Sequence, residues 1–160
     1  METHSAAKRE LKLERVVDAP LDLVWRCWTE PEHLKKWFCP RPYMTTACSI
    51  DLRVGGSFST VLTSPEGKDM PYTNTYLEIK DRQRIVYTDA FDPGWIPRDK
   101  VWPFFTVFIE MEDAGAGKTK YTARAIHWSE ESCRDHEQKG FHEGWGIGLD
   151  QLVEHTRTMR

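Results

Sequence analysis

The chain has 160 residues, a formal net charge of −3, seven tryptophans and four cysteines, enough length for a single domain with a real core. A nearly balanced charge without a basic block argues against nucleic acid or an anionic membrane as the main partner, and no run approaches the ~18 apolar residues needed for membrane insertion. Met1–Glu10 is too polar for a signal peptide, and Cys27, Cys39, Cys48 and Cys133 form no Cys-x-x-Cys pair, so a cytoplasmic protein with reduced thiols is expected.

In chain order, Met1–Arg9 reads as a disordered leader and residues 10–160 as one domain. Glu10–Val17 alternates, with Leu11, Leu13 and Val17 on one side and Lys12 and Glu14 on the other, which predicts a half-buried strand. Asp18-Ala-Pro20 predicts a helix start with Asp18 as cap, and Leu21, Val24, Trp25 and Trp28 share its inner face. A second short helix, Pro31–Trp37, follows and is ended by Cys39-Pro-Arg-Pro42. From Thr45 the period changes to two. Strands are predicted at Ala47–Val54, Ser57–Leu62, Tyr72–Lys80, Arg84–Ala90, Phe104–Glu112 and Lys118–Trp128, with Gly55-Gly56 as a hairpin turn. Phe91–Pro103, which holds Trp95 and Trp102, breaks the rhythm as a loop. Successive hairpins imply an antiparallel sheet.

Ser129–Arg160 reads as one long helix. At about 100° per residue, Phe141, Trp145, Leu149, Leu152, Val153 and Thr156 fall within an arc of about 120°. Lys139, Glu143, Asp150, Glu154 and Arg157 fall opposite. Gly140, Gly144 and Gly148 recur every fourth residue beside the apolar arc, with Gly146 between them. Each helix-interior glycine costs about 1 kcal/mol relative to alanine. The bare stripe therefore serves either close packing against a sheet or room for something that is not protein. The expected fold is α+β, a curved antiparallel sheet of about seven strands wrapped around the long C-terminal helix, with two short helices after the first strand.

Several ordered motifs carry a resemblance. Arg15-Val-Val-Asp-Ala-Pro-Leu-Asp-Leu-Val-Trp25, Trp28-Thr-Glu-Pro-Glu-His-Leu34 with Trp37, and Asp51-Leu-Arg-Val-Gly-Gly56 open it. Arg84-Ile-Val-Tyr-Thr88, Gly140-Phe-His-Glu-Gly-Trp145 and Leu149-Asp-Gln-Leu152 continue it. Together they resemble the START/birch-pollen-allergen-like (SRPBCC) helix-grip superfamily, in the branch named after activators of the ninety-kilodalton heat-shock chaperone's ATPase. The resemblance implies a sheet gripping a C-terminal helix, with a cavity between them. Relatives of this kind include lipid carriers, polyketide cyclases, ligand-sequestering proteins and chaperone cofactors, so fold alone does not choose the activity.

The candidate ligand-binding residues are Trp37, Phe58, Phe105, Tyr121, His127, Phe141, His142, Trp145, Gly148 and Leu149. They would suit a small hydrophobic or aromatic molecule, or else simply fill a core. His142 falls on the inner arc and His127 shares strand parity with Tyr121, Ala123 and Ala125, so either imidazole could handle a proton or be merely hydrogen-bonded. His136 and His142 are out of register for one metal, His-Glu-x-x-His is absent, and no nucleophile motif occurs. Arg53 is either an anchor for an anionic group or a solvated strand residue. The expectation is therefore a binder without metal or cofactor. The alternatives are a polyketide cyclase/dehydratase-like enzyme using the same cavity, or a chaperone-interacting module.

Overall fold

The computed structural model describes residues 7–99 and 105–160. Its strands are β1 (Glu10–Val17), β2 (Met44–Ile50), β3 (Ser57–Thr63), β4 (Asp69–Lys80), β5 (Arg84–Thr88), β6 (Phe91–Asp92), β7 (Ile96–Pro97), β8 (Phe105–Gly115) and β9 (Lys118–His127). The helices are α1 (Leu21–Thr29), α2 (Pro31–Leu34), α3 (Glu130–Gln138) and α4 (Phe141–Thr156). Seven strands form one antiparallel sheet in the order β1-β9-β8-β5-β4-β3-β2. The sequence neighbours β1 and β2 lie at opposite edges, so the chain between them must cross the sheet, and α1 and α2 carry it over. The α+β helix-grip expectation holds.

Two cross-strand rows build the inner face. Leu11 pairs with Ala125, Ala125 with Val107, Val107 with Tyr87 and Tyr87 with Tyr76. Next to it run Leu13, Ala123, Ile109, Ile85 and Ile79. The outer face is polar. There Arg124 bonds Glu10 at 2.9 Å and Glu110 at 3.2 Å, and its guanidinium lies 4.6 Å from the centre of the Phe108 ring.

Over the inner face, α1 buries Val24, Trp25, Cys27 and Trp28, while α4 buries Phe141, Leu149, Leu152 and Thr156 and turns Glu143, Asp150 and Glu154 to solvent. The larger core cluster joins Trp28, Trp37, Phe58, Tyr76, Tyr87, Tyr121, Leu149 and Leu152. A smaller one joins Leu11, Ala125, Cys133 and Phe141, and Phe105 and Trp145 pack against both.

Several sequence expectations need correction. The long helix is two helices, because Gly140 takes φ +97° between them. Ser129 caps α3, its hydroxyl accepting from the Ser132 N–H at 3.0 Å. Asp18 does not cap α1, which begins behind an extended Pro20 with no side-chain cap. β2 starts and ends earlier than expected, since the Gly55-Gly56 turn belongs to a wider loop. In it the Asp51 N–H donates to the Ser57 carbonyl, and a Cβ on Gly56 would run into the Asp51 carbonyl oxygen.

Part of the expected leader is structured. Ala7–Arg9 forms a short 3-10 turn, and the Arg9 guanidinium reaches the His127 carbonyl at 3.4 Å. The irregular stretch after β5 contains the small β6–β7 hairpin, where Trp95 packs against Gly55. Trp102 lies outside the described residues. All four cysteines are free. No helix among the described residues is long and apolar enough to cross a membrane.

The break between α3 and α4 is testable. A φ near +97° lies in the left-handed region that L side chains enter at a cost, although a Cβ on Gly140 would meet no described atom within 4 Å. Gly140→Ala should therefore lower folding stability by about 1 kcal/mol or more through the backbone alone. A shifted urea midpoint with an unchanged slope would show this. An unshifted midpoint would mean that the turn tolerates another conformation.

Candidate functional site

The candidate residues fall into two groups beneath α4. In the first, Trp37 packs edge-on to Trp28 at 5.0 Å and to Phe38 at 5.5 Å, and Phe38 in turn meets Phe58 at 5.8 Å. Phe58 is stacked on Tyr76, with centroids 5.8 Å apart and planes 11° apart, and stands edge-on to Tyr87 at 5.1 Å. Tyr121 accepts a hydrogen bond from the Trp28 Nε1–H at 3.2 Å. The Trp37 indole donates to the Cys27 carbonyl at 3.0 Å. Gln151 of α4 holds the following loop, donating to the Trp37 and Cys39 carbonyls at 2.9 and 2.8 Å and accepting from the Arg41 N–H at 3.0 Å. Trp37 and Phe38 also line a surface groove of about 880 Å³ between α2 and the start of β2.

The second group is aromatic and histidine-centred. Phe141 stacks on Trp145 at 4.9 Å, and Phe105 stands 5.5 Å from His127 and 6.5 Å from Trp145. His127 is buried with its Nδ1 3.0 Å from the Arg9 carbonyl oxygen and its Nε2 2.8 Å from His136 Nδ1. A carbonyl can only accept, so His127 carries its proton on Nδ1 and its Nε2 accepts from the His136 Nδ1–H. Burial pushes both acid forms down. His136 falls to about 4, through desolvation first and then the neighbouring His127. Both rings are therefore neutral near pH 7.

The structure corrects one candidate outright. His142 is exposed, and its Nε2 pairs with the Glu137 carboxylate at 3.1 Å. The single-helix wheel put it inside, but in the first turn of α4 it stands beyond the packed face, beside the end of α3. Arg53 is likewise a surface residue, paired with Asp51 at 2.8 Å.

The glycines also part company. Gly140 makes the turn, and Gly144 faces Pro40 at an ordinary 3.7 Å. A Cβ on Gly146 would come within 2.6 Å of the Arg15 guanidinium, which also bonds Asp150 at 3.0 Å. Gly148 is buried, yet a Cβ there would meet no described atom within 4 Å. Among the described residues, therefore, nothing fills the place of a side chain at Gly148.

Sequence reasoning missed three contributors. His136 was off the inner arc only because α3 and α4 were drawn as one helix. Tyr87 and Tyr76 face each other across β5 and β4, both buried. Counting by twos from Ile79 brings Leu77 inward, but the register shifts between Tyr76 and Glu78 and turns Tyr76 inward instead. A bulge of this kind leaves no plain mark in the alternation.

Among the described residues, Glu30, Glu32 and His33 offer ligand atoms within 4.8 Å of one another. The Arg26 guanidinium already takes the cation's place there, 2.8 Å from Glu30 Oε2 and 3.4 Å from His33 Nε2.

Residues 18–157 match the family model described as "Activator of Hsp90 ATPase homolog 1-like protein". A crystal structure of a protein from Nitrosomonas europaea is 40% identical, with a TM-score of 0.90, covering 96% of this chain and 97% of that one. An AHSA1-like protein from Aeromonas hydrophila is 16% identical with a TM-score of 0.71, covering 94% and 93%. A crystal structure of protein Ms6760 from Mycobacterium smegmatis is 19% identical with a TM-score of 0.79, covering 99% and 97%. The last two show likeness of fold alone. No curated protein matches the chain.

The histidine pair sets a pH dependence. Because the fold lowers the proton affinity of His136, the unfolded chain binds that proton more readily than the folded one. The contribution to stability is thus complete above the ordinary value of 6.5 and is lost as pH falls from there towards about 4. Urea midpoints taken across that window should decline, by up to about 1.4 kcal/mol per pH unit for one group. In His136→Gln the decline should be shallower. An equal slope in both proteins would remove the pair from the acid response.

Proposed function

The chain belongs to the Activator of Hsp90 ATPase homolog 1-like protein family, and on that footing we propose that it binds a small hydrophobic or aromatic molecule between the inner face of the sheet and α4. The observation that carries this reading is the pairing of an aromatic lining with free space at Gly148. An apolar, aromatic-walled concavity holding a few polar groups is the usual form of a small-molecule site. The remaining candidates, Trp37, Phe58, Phe105, Tyr121, His127, Phe141, Trp145, Gly148 and Leu149, supply that lining and the space beside it. No cofactor enters the proposal.

A cyclase or dehydratase reading draws less support. His127, the residue it would use, has both ring nitrogens engaged, one by the Arg9 carbonyl and one by His136. Its acid form is also disfavoured by burial. The chaperone reading rests on the family description alone. Stimulation of a heat-shock chaperone ATPase by the purified protein would favour it.

Gly148→Leu separates a ligand site from a filled core, with fluorene as a flat apolar probe measured by equilibrium dialysis. If the space is a binding cavity, leucine removes an unfavourable helix residue and fills a void, so melting temperature should hold or rise. Fluorene binding should fall sharply. If the stripe is packed, overfilling costs about 1–3 kcal/mol and the melting temperature drops. A parent protein that never binds fluorene, with a destabilised variant, would count against ligand binding.

A further inference from the structure

The inner face holds three buried phenols, Tyr76 on β4, Tyr87 on β5 and Tyr121 on β9. Tyr76 and Tyr87 are 1% and 4% exposed, and their hydroxyls make no hydrogen bond in the described structure. Tyr121 accepts from Trp28 but donates to nothing described. Burial ordinarily forces such groups to find partners. The fully enclosed side-chain nitrogens and oxygens of the described residues obey that rule, with Arg84 Nε as the exception. The Tyr76 and Tyr87 oxygens are therefore unpartnered without being fully sealed, each keeping a trace of accessible surface.

The backbone takes trouble to put them there. A bulge between Tyr76 and Glu78 turns Tyr76 to the inner face opposite Tyr87, and re-aiming a side chain is what a bulge does. Phenylalanine at either position would fill the same volume without stranding a hydroxyl. Burial keeps all three phenols protonated, and Tyr121 and Tyr76 both add to the pressure on Tyr87, which marks them as electrostatic neighbours. Each of these phenols thus has a hydrogen left to donate. A carbonyl oxygen, terminal and open on both sides of its C=O axis, can take two such hydrogens at once.

On the reading that the interior binds a flat apolar molecule, we infer that this molecule carries a ketone- or quinone-type oxygen, and that Tyr76 and Tyr87 recognise it by donating their hydroxyl hydrogens. Trp28, Phe38 and Phe58 then hold the flat body of the ligand, and the phenols fix its orientation. Tyr76 and Tyr87 are specificity residues in this scheme, with no bond made or broken.

The test compares 9-fluorenone with fluorene, flat molecules of nearly the same shape that differ by one carbonyl oxygen. Equilibrium dialysis should find fluorenone bound more tightly to the parent protein by roughly tenfold, the worth of one or two net hydrogen bonds. In Tyr76→Phe/Tyr87→Phe that preference should vanish while fluorene affinity and melting temperature hold. Each single variant should lose part of it, which keeps the test alive if the double variant folds poorly. The infrared carbonyl stretch of bound fluorenone should sit lower in the parent than in the variants. Equal affinity for the two probes in the parent, or a preference that survives both substitutions, overturns the inference. If fluorene itself does not bind, or binds as well to Gly148→Leu, the cavity reading fails and takes this one with it. Equal probe affinities together with sensitivity at Gly148 remove the carbonyl alone.

Discussion

Side-chain size across the inner face decides how α4 can lie. Along the row from β1 to β4 the residues run Leu11, Ala125, Val107, Tyr87, Tyr76, and the next row runs from Leu13 and Ala123 to Ile85 and Ile79. Ala123 and Ala125 of β9 are small, while Tyr76 of β4 and Tyr87 of β5, with Phe58 stacked on the first and edge-on to the second, are bulky. Accordingly the nearest backbone approaches of α4 within the sheet are to β1. On the ligand-binding reading, a straight helix laid on a face graded in this way leaves room towards the tyrosine end. Close packing admits few voids larger than water, so such room needs rigid parts around it.

Those parts are identifiable. Gln151 ties α4 to the Trp37–Arg41 loop through three hydrogen bonds, and Arg15 of β1 reaches over Gly146 to Asp150. At the other end, His136 of α3 is bonded to His127 of β9, which is bonded to Arg9 ahead of β1. Helix, sheet and N-terminal segment meet in that one chain of bonds. It works only while His127 Nε2 stays unprotonated, since a proton there would set N–H against N–H. The histidines therefore read more naturally as a clamp than as catalysts.

The family and the fold bound the activity without naming it. What narrows it further is local chemistry. An interior made only of leucine and phenylalanine would suggest a filled core, but this one spends hydroxyls where phenylalanine would fit. Buried polar groups specify partners far more sharply than apolar surface does, because leaving one unpaired is costly. On the proposed ligand-binding reading, the phenols of Tyr76 and Tyr87 thus say more about the ligand than the tryptophans around them.

Much of this was legible in the residues themselves. Period-two alternation located every strand of the main sheet to within a few positions, and the apolar arc of α4 predicted its buried side from Phe141 to Thr156. Both follow from local geometry, in which a side chain's direction depends on its distance along the same element. The motif resemblance added the grip of sheet on helix. Three matters were decided only by tertiary structure. The turn at Gly140 separated α3 from α4 and brought His136 to His127, while His142, in the first turn of α4, fell beyond the packed face to solvent. The bulge beside Tyr76 reversed the parity of β4. The glycines, alike on paper, became a turn, a seat for Arg15 and an open space. In each case a single residue's backbone state, or a neighbour over a hundred residues away, overrode a periodic rule. Periodicity propagates a direction along an element, but it cannot see where that element is broken, shifted or faced by another.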